Sequence, residues 1–225
     1  MTTSVTNTRN DEIGAAPTQR PDQTRRRRFR RSFAGLGIAG ALAVLGTAMM
    51  SNANYSDDYV TRQLLAQRIT FKPVDALTDA ERKSACVVAN AGKPMTTGKQ
   101  AECYANEFIG THIKSIGGGR TYAELEDVRA GLLAQIAAAQ ASGDAGLPKL
   151  QSDLGALTGQ REAMFKAEML RGILLTSFGF STLGEKAGET ATAAHAGAAL
   201  VAILSIGGLA YAYRTLRTKT IPVEW

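Results

Sequence analysis

Residues 25–54 read RRRRFRRSFAGLGIAGALAVLGTAMMSNAN, a cluster of arginines followed at once by an uncharged stretch. Positive charge is retained on the cytoplasmic side of a membrane, so this order predicts both a membrane-spanning segment and its direction. At 1.5 Å per residue, residues 33–50 cover about 27 Å as a helix, enough to cross a hydrocarbon core. We therefore predict a first transmembrane helix over residues 32–53. Residues 1–31 are polar and basic, and we expect them to form a disordered cytoplasmic tail.

A second uncharged run, residues 190–213, predicts a second transmembrane helix, followed by a basic cytoplasmic tail over residues 214–225. Both ends of the chain are then expected inside the cell, and the domain 54–189 outside it. The arginines expected to fix this topology are Arg25, Arg26, Arg27, Arg28, Arg30, Arg31, Arg214 and Arg217. The N-terminal cluster either serves topology alone or also binds anionic lipid head groups, at about 1 kcal/mol per residue.

The net charge of the chain is +6, which taken alone suggests a nucleic-acid partner. The excess is confined to the two ends, because residues 1–31 carry +5 and residues 214–225 carry +2, whereas residues 54–189 carry −1. Since the positive charge lies beside the two apolar runs, membrane topology accounts for it, and we predict no nucleic-acid partner.

The first span has a rival interpretation as an export signal. Arg30-Arg31-Ser32-Phe33 resembles a twin-arginine signal, and Ser51-Asn52-Ala53 has small residues at the spacing of a signal-peptidase site. Cleavage there would leave a domain held only by its C-terminal helix. The helical pattern that continues after Met50 favours a retained span, but the sequence leaves both interpretations open.

Cys86 and Cys103 are the two cysteines of the chain, and both lie in the segment expected outside the cytoplasm. That compartment allows a disulfide to persist, and a loop of this length would stabilise the domain by about 3 kcal/mol. The alternative is two separate buried thiols. Two cysteines without a neighbouring histidine fall short of a zinc site, so we predict a disulfide and no metal.

Small residues recur at a spacing of four in both spans, and such rows let helices approach closely in lipid. The alternative explanation is a general richness in alanine. The residues predicted to pack are Gly35, Ala39 and Ala43 in the first span and Ala194, Ala198 and Ala202 in the second.

The segment between the spans is predicted to be helical and bundle-like, which makes the whole chain all-α. Three capping boxes indicate helix starts, at Thr78/Glu81, Thr97/Gln100 and Thr121/Glu124. Apolar periodicity predicts helices over residues 98–116 and 122–141, and a long helix from Pro148 that continues toward the second span. Residues 117–119 and 142–144 are predicted helix stops.

No group of side chains has the composition of a catalytic centre. His112 lies on a predicted helix without a clustered carboxylate, thiol or second histidine, and we interpret it as a surface or groove residue. His195 lies in the second span, where an ionisable group is costly and often functional, although its position near one end lowers that cost. We predict that the protein is not an enzyme and carries no cofactor.

Four phrases, QRITF (67–71), GKQA (98–101) with YAN (104–106), GRTYAEL (119–125) and LRGILL (170–175), resemble a group of uncharacterised two-span membrane proteins of actinobacterial type. Members often carry the label of aromatic ring-opening dioxygenase. The resemblance covers roughly residues 55–213 and implies two retained spans with an outer domain, but no catalytic residues. Two isolated histidines do not make the iron site of two histidines and one carboxylate that such chemistry needs.

These features together predict a structural or accessory subunit of a membrane or envelope complex, located in the cell membrane. Its expected partners are lipids and either another membrane protein or a second copy of itself. The alternative is a ligand-sensing module outside the cell that signals through a separate partner chain, because neither tail has room for an output domain.

Overall fold

The computed structural model describes the backbone of residues 21–217 and the side chains of residues 26–215. This part of the chain is helical and contains no strand; extended backbone pairs there only in an isolated antiparallel bridge between Thr70 and Pro94. The predicted all-α class with two long apolar helices is confirmed. The expected disorder of residues 1–20 and the last eight positions of the C-terminal tail lie outside the described residues.

The helices are connected by short turns. The α-helices are α1 (Pro21–Gln67), α2 (Ala85–Asn90), α3 (Gly98–Cys103), α4 (Gly110–Ile116), α5 (Glu124–Ser142) and α6 (Leu147–Arg217). A π-helix, Tyr104–Ile109, joins α3 to α4, and two 3₁₀ turns, Val74–Ala76 and Glu81–Lys83, lie between α1 and α2.

Helix α1 is longer than the sequence analysis predicted. It contains 47 residues and includes residues 21–31, which were expected to be disordered, and it runs on through the helical pattern that follows Met50. Arginine, alanine and leucine are good helix formers, and no proline interrupts the segment after Pro21, so the helix continues through the predicted boundaries. It ends at Gln67, where Arg68 adopts a left-handed φ of 53°.

All three capping boxes form. In each, the threonine hydroxyl accepts from the backbone N–H three residues later, and the later side chain accepts from the threonine N–H. The box at Thr78 opens only the 3₁₀ turn Glu81–Lys83, because Ser84 then caps α2 separately. The predicted stops also form, since Gly118, Gly119 and Gly143 adopt positive φ angles.

The described chain divides into two compact units. The first comprises the chain up to Gly46 and from Ala193 onward. In it α1 and α6 pack antiparallel through small residues: a Cβ added at Gly46 would lie 3.0 Å from the Nε2 atom of His195, and one added at Gly35 would clash with the Oγ atom of Ser205. This unit is therefore a close helix pair.

The second unit is Thr47–Thr192. Its core contains Leu64 of α1, Phe71, Met95, and Met164 and Leu174 of α6, all of which are almost completely buried. The short helices α2 to α4 and the π-helix pack on this core. Helix α6 has 71 residues and includes both the last predicted helix of the middle segment and the second apolar run.

Two helical segments, Arg26–Gln67 in α1 and Leu147–Thr215 in α6, are long and apolar enough to cross a membrane. In each, only 11% of the most apolar stretch of 18 residues is buried.

Candidate functional site

A disulfide joins α2 to α3 in the second unit. The sulfur atoms of Cys86 and Cys103 lie 2.04 Å apart, with a Cα–Cα distance of 6.0 Å. The hydroxyl of Ser84 caps α2 by accepting from the N–H of Val87, and it also lies 3.4 Å from the Cys86 sulfur. The bridge therefore fixes α2 against the helix that leads directly into the π-helix.

Next to the bridged segment lies a buried carboxylate, that of Glu81, whose residue is only 1% exposed. Its Oε1 atom accepts a hydrogen bond from the ammonium group of Lys72 at 2.9 Å, and its Oε2 atom accepts from the N–H of Thr78 at 2.8 Å. The Nε2 atom of His112 lies 3.6 Å from Oε1. A buried charge is tolerated when it is paired and hydrogen-bonded, and Glu81 meets both conditions.

The pKa of Glu81 reflects two opposed effects. Burial raises the pKa of the carboxyl, because it penalises the charged form. The hydrogen bond and charge of Lys72, with the N–H and hydroxyl of Thr78, together outweigh burial, so the pKa of Glu81 lies below its usual value. Glu81 is thus an ionised anchor at neutral pH rather than a proton donor.

An aromatic row flanks this carboxylate. The ring of Tyr104 packs edge-on against Phe71 at 5.1 Å and stacks on Phe108 at 4.5 Å, and Phe108 contacts the ring of His112 at 4.6 Å. The Lys72 ammonium lies 5.0 Å from the centre of the Phe108 ring, within the range of a cation–π contact. Burial raises the pKa of the Tyr104 hydroxyl, and the charge of Glu81 raises it further. We call Lys72, Glu81, Tyr104, Phe108 and His112 the Glu81 cluster.

The π-helix positions the aromatic part of the Glu81 cluster. Both Tyr104 and Phe108 lie within Tyr104–Ile109, and His112 follows one turn later in α4. A π-helical turn is wider than an α-helical one, is rare in proteins, and is frequent at functional sites. It changes the direction in which side chains leave the helix, and so brings these rings beside the Lys72–Glu81 pair.

The pairing in this cluster is not predicted by the sequence. Glu81 was expected only as the far member of a capping box, and His112 as a surface or groove residue. The histidine is partly exposed, but it lies against the buried carboxylate. Lys72 was not singled out. Because the three residues are separated by nine and 31 positions, no local spacing pointed to their contact.

The predicted small-residue positions lie along the helix pair of the first unit. Ala39 and Ala198 are buried, whereas Gly35, Ala43, Ala194 and Ala202 are half-buried. At the other end of this pair, the guanidinium group of Arg28 lies 5.7 Å from the centre of the Tyr211 ring. Arg26, Arg27, Arg30, Arg31 and Arg214 also belong to the described side chains, whereas those of Arg25 and Arg217 do not.

The second unit contains two open cavities that share Lys99 and Glu185. One, of about 390 Å³, is lined mainly by residues of α1 and α6, including Asp57 and Ser181. The other, of about 460 Å³, lies beside the disulfide, with Phe178 among its walls. The ammonium of Lys99 and the carboxylate of Glu185 are 3.6 Å apart and largely exposed, so these cavities present charges of both signs to solvent.

Among the described residues, no three side chains of His, Cys, Asp or Glu are grouped so that they could hold a metal ion. No protein-family model matches the chain, and no curated protein or solved structure is detectably similar to it.

Proposed function

We propose that this chain is a non-enzymatic integral membrane protein that crosses the cell membrane twice, keeps both ends in the cytoplasm and places residues 54–189 outside. We further propose that it serves as a structural or accessory interaction subunit of a membrane or envelope complex. The proposal depends mainly on one observation, the exposure of the apolar stretches of α1 and α6.

A soluble protein buries the apolar side of its helices in its own core. Here 11% of each apolar stretch is buried, and the exposed side chains include Val44 at 72% and Ile203 at 67%. Leaving such surfaces in water is unfavourable by about 25 cal/mol per Å². Lipid, or a partner protein within the lipid, is the environment that removes this cost.

The two ends of the helix pair favour a hairpin in the membrane. The contact between Arg28 and Tyr211 brings the arginine cluster to the same end of the first unit as the close of the second apolar run. Tyr55 and Tyr59 follow the first predicted span directly and are exposed. Tyrosines at both ends of an apolar segment are typical of the membrane–water interface. Arginines beside such a segment are typical of the cytoplasmic side of the membrane.

The test has two parts. Protease added to intact cells should digest residues 54–189 and leave the helix pair; digestion only in inverted vesicles would contradict the topology. Purification from native membranes in mild detergent should recover a specific partner chain in a fixed ratio, identified by mass spectrometry. Recovery of this chain alone, in any oligomeric state, would contradict the accessory role.

A second candidate function is ligand sensing outside the cell, favoured by the 390 Å³ cavity between α1 and α6 in the second unit. Its walls include Lys99, Ser181 and Glu185, which present polar and charged groups to a bound ligand. A screen of small zwitterions for compounds that raise the melting temperature of the protein distinguishes the two functions. A rise that disappears in the Lys99→Met variant favours ligand sensing.

A further inference from the structure

An exposed apolar stripe runs along α6 in the second unit. Its large side chains are Phe165, Met169, Ile173, Phe180 and Leu183, each at least half exposed. Between the first and the last of them the helix rises about 27 Å. Soluble surfaces rarely carry a continuous apolar patch of this kind unless another surface covers it.

The spacing of the stripe is that of a coiled-coil seam. Met169, Thr176 and Leu183 follow one another at intervals of seven residues, and so do Gly172 and Gly179 in the row beside them. A repeat of seven keeps one side of a helix facing a partner helix over its whole length. Nothing lies within 4 Å of a Cβ added at either glycine. The fold of one chain therefore gives no reason for glycine at these helical positions, whereas the close approach of a second helix does.

We propose that this stripe, Phe165–Leu183, pairs with the same stripe of a second copy of the chain, the two α6 helices running parallel. The pairing rests on the membrane topology proposed above, because two copies inserted in one direction present the same face at the same height. A two-fold axis along the membrane normal then sets each residue near its own counterpart.

The charge distribution of the stripe and its exposed area both favour a second copy of the chain as the partner that covers it. In a symmetric pair every charge in the seam meets a like charge. Residues 172–184 contain no charge, and the charged residues of the stripe, Lys166, Glu168 and Arg171, are confined to its first two turns. The five large side chains expose on the order of 500 Å² per copy. A standard protein–protein interface buries about 800 Å² per partner. The five side chains, together with the helix backbone between them, approach this area.

Single cysteines introduced into the full-length chain in native membranes test the pairing. Under mild oxidation, Met169→Cys and Leu183→Cys should each form a cross-linked species of twice the chain mass, containing only this chain. Ala163→Cys, which is exposed on another side of α6, is the matched control and should stay monomeric. Cross-linking to a different protein, or equal cross-linking of the control, would overturn the proposal.

A second variant tests the close approach. Gly179→Leu in the Met169→Cys background should lower the cross-linked fraction about tenfold by overpacking the seam. Gly131→Leu, at another open helical glycine in α5, should leave it unchanged. Circular dichroism should confirm that both variants fold. An undiminished cross-linked fraction in Gly179→Leu would contradict the close approach of the two α6 helices.

The same cysteines separate this proposal from the topology. Without oxidant, a membrane-impermeant maleimide should label Met169→Cys in intact cells. Labelling without cross-linking would refute the pairing and leave the topology standing, whereas cross-linking without labelling would refute the topology alone.

Discussion

The ammonium group of Lys72 lies 2.9 Å from a carboxylate, that of Glu81, which is almost completely buried. Lys72 itself is partly exposed, so the pair is screened by solvent on one side only. Its importance lies in what happens when one partner is removed, because a buried charge without its partner keeps the full cost of desolvation.

Replacing Lys72 with methionine should therefore destabilise the protein by about 1–3 kcal/mol, the usual cost of leaving a buried acceptor unsatisfied. The measurement is chemical unfolding in detergent, followed by circular dichroism. Lys149→Met is the matched control, because Lys149 pairs with Asp153 at 2.7 Å on an exposed helix surface and should contribute less than about 1 kcal/mol. Equal effects of the two variants would contradict the role assigned to the buried pair.

The stability of the protein should also depend on pH through Glu81. Its pKa in the folded state lies below the usual value of 4.5, so folding is favoured by the ionised form. This contribution is fully present above about pH 4.5 and is lost as the pH falls through the lower, folded-state pKa. The difference in unfolding free energy between the wild type and Glu81→Gln should shrink on acidification. A difference that stays constant down to about pH 3 would argue against an ionised Glu81 in the folded state.

A feature of this structure could be predicted from the sequence when the residues that determine it lie close together in the chain. Each capping box, at Thr78, Thr97 and Thr121, joins side-chain and backbone groups that are three residues apart. The residue types at these two positions therefore predict the box directly. The long apolar helices follow from composition in the same local way. The start of α1 was placed too late, because a helix nucleated in the span continues through arginines that do not stop it.

The Glu81 cluster could not be predicted in this way. The π-helix at Tyr104–Ile109 has no sequence signature of its own, and its first residue, Tyr104, packs edge-on against Phe71, which lies 33 positions earlier in the chain. The partners of Glu81 come from a loop before it and a helix far after it. Only the fold, which brings Lys72 and His112 together, makes the capping-box glutamate the centre of a cluster.

Removal of the disulfide should loosen the segment around this cluster. The free energy of unfolding of the double variant Cys86→Ser/Cys103→Ser should be lower by about 3 kcal/mol, because an unfolded chain without the cross-link has more conformational entropy. Adding reductant should produce a similar loss in the wild type and no further loss in the double variant. A wild type whose unfolding is insensitive to reductant under denaturing conditions would contradict a structural bridge.

Contacts at glycine should distinguish α6 positions that face α1 from those that face away. A Cβ added at Gly184 would lie 2.7 Å from the Cβ of Ser56, so Gly184→Ala forces the helices apart in the second unit and should cost about 1–3 kcal/mol. Gly159→Ala, where nothing lies within 4 Å, should instead stabilise the helix by about 0.5–1 kcal/mol. Thermal unfolding of both variants in the same detergent gives the comparison. Stabilisation by both substitutions would show that α1 and α6 are not in close contact at Gly184.

The arginine cluster should determine the orientation of the first span. Replacing the six arginines of residues 25–31 with glutamine removes the positive charge that opposes translocation of the N-terminal tail. A fraction of chains should then carry the N-terminus outside, which a reporter fused there measures as a mixed signal, whereas the wild type should report a single cytoplasmic location. Arg9→Gln, a change farther from the span, is the control and should leave the location unchanged, because the rule acts within about 15–20 residues of the membrane. A purely cytoplasmic reporter in the six-fold variant would mean that Arg214 and Arg217, or the folding of the central domain, orient the hairpin without help from the N-terminal cluster.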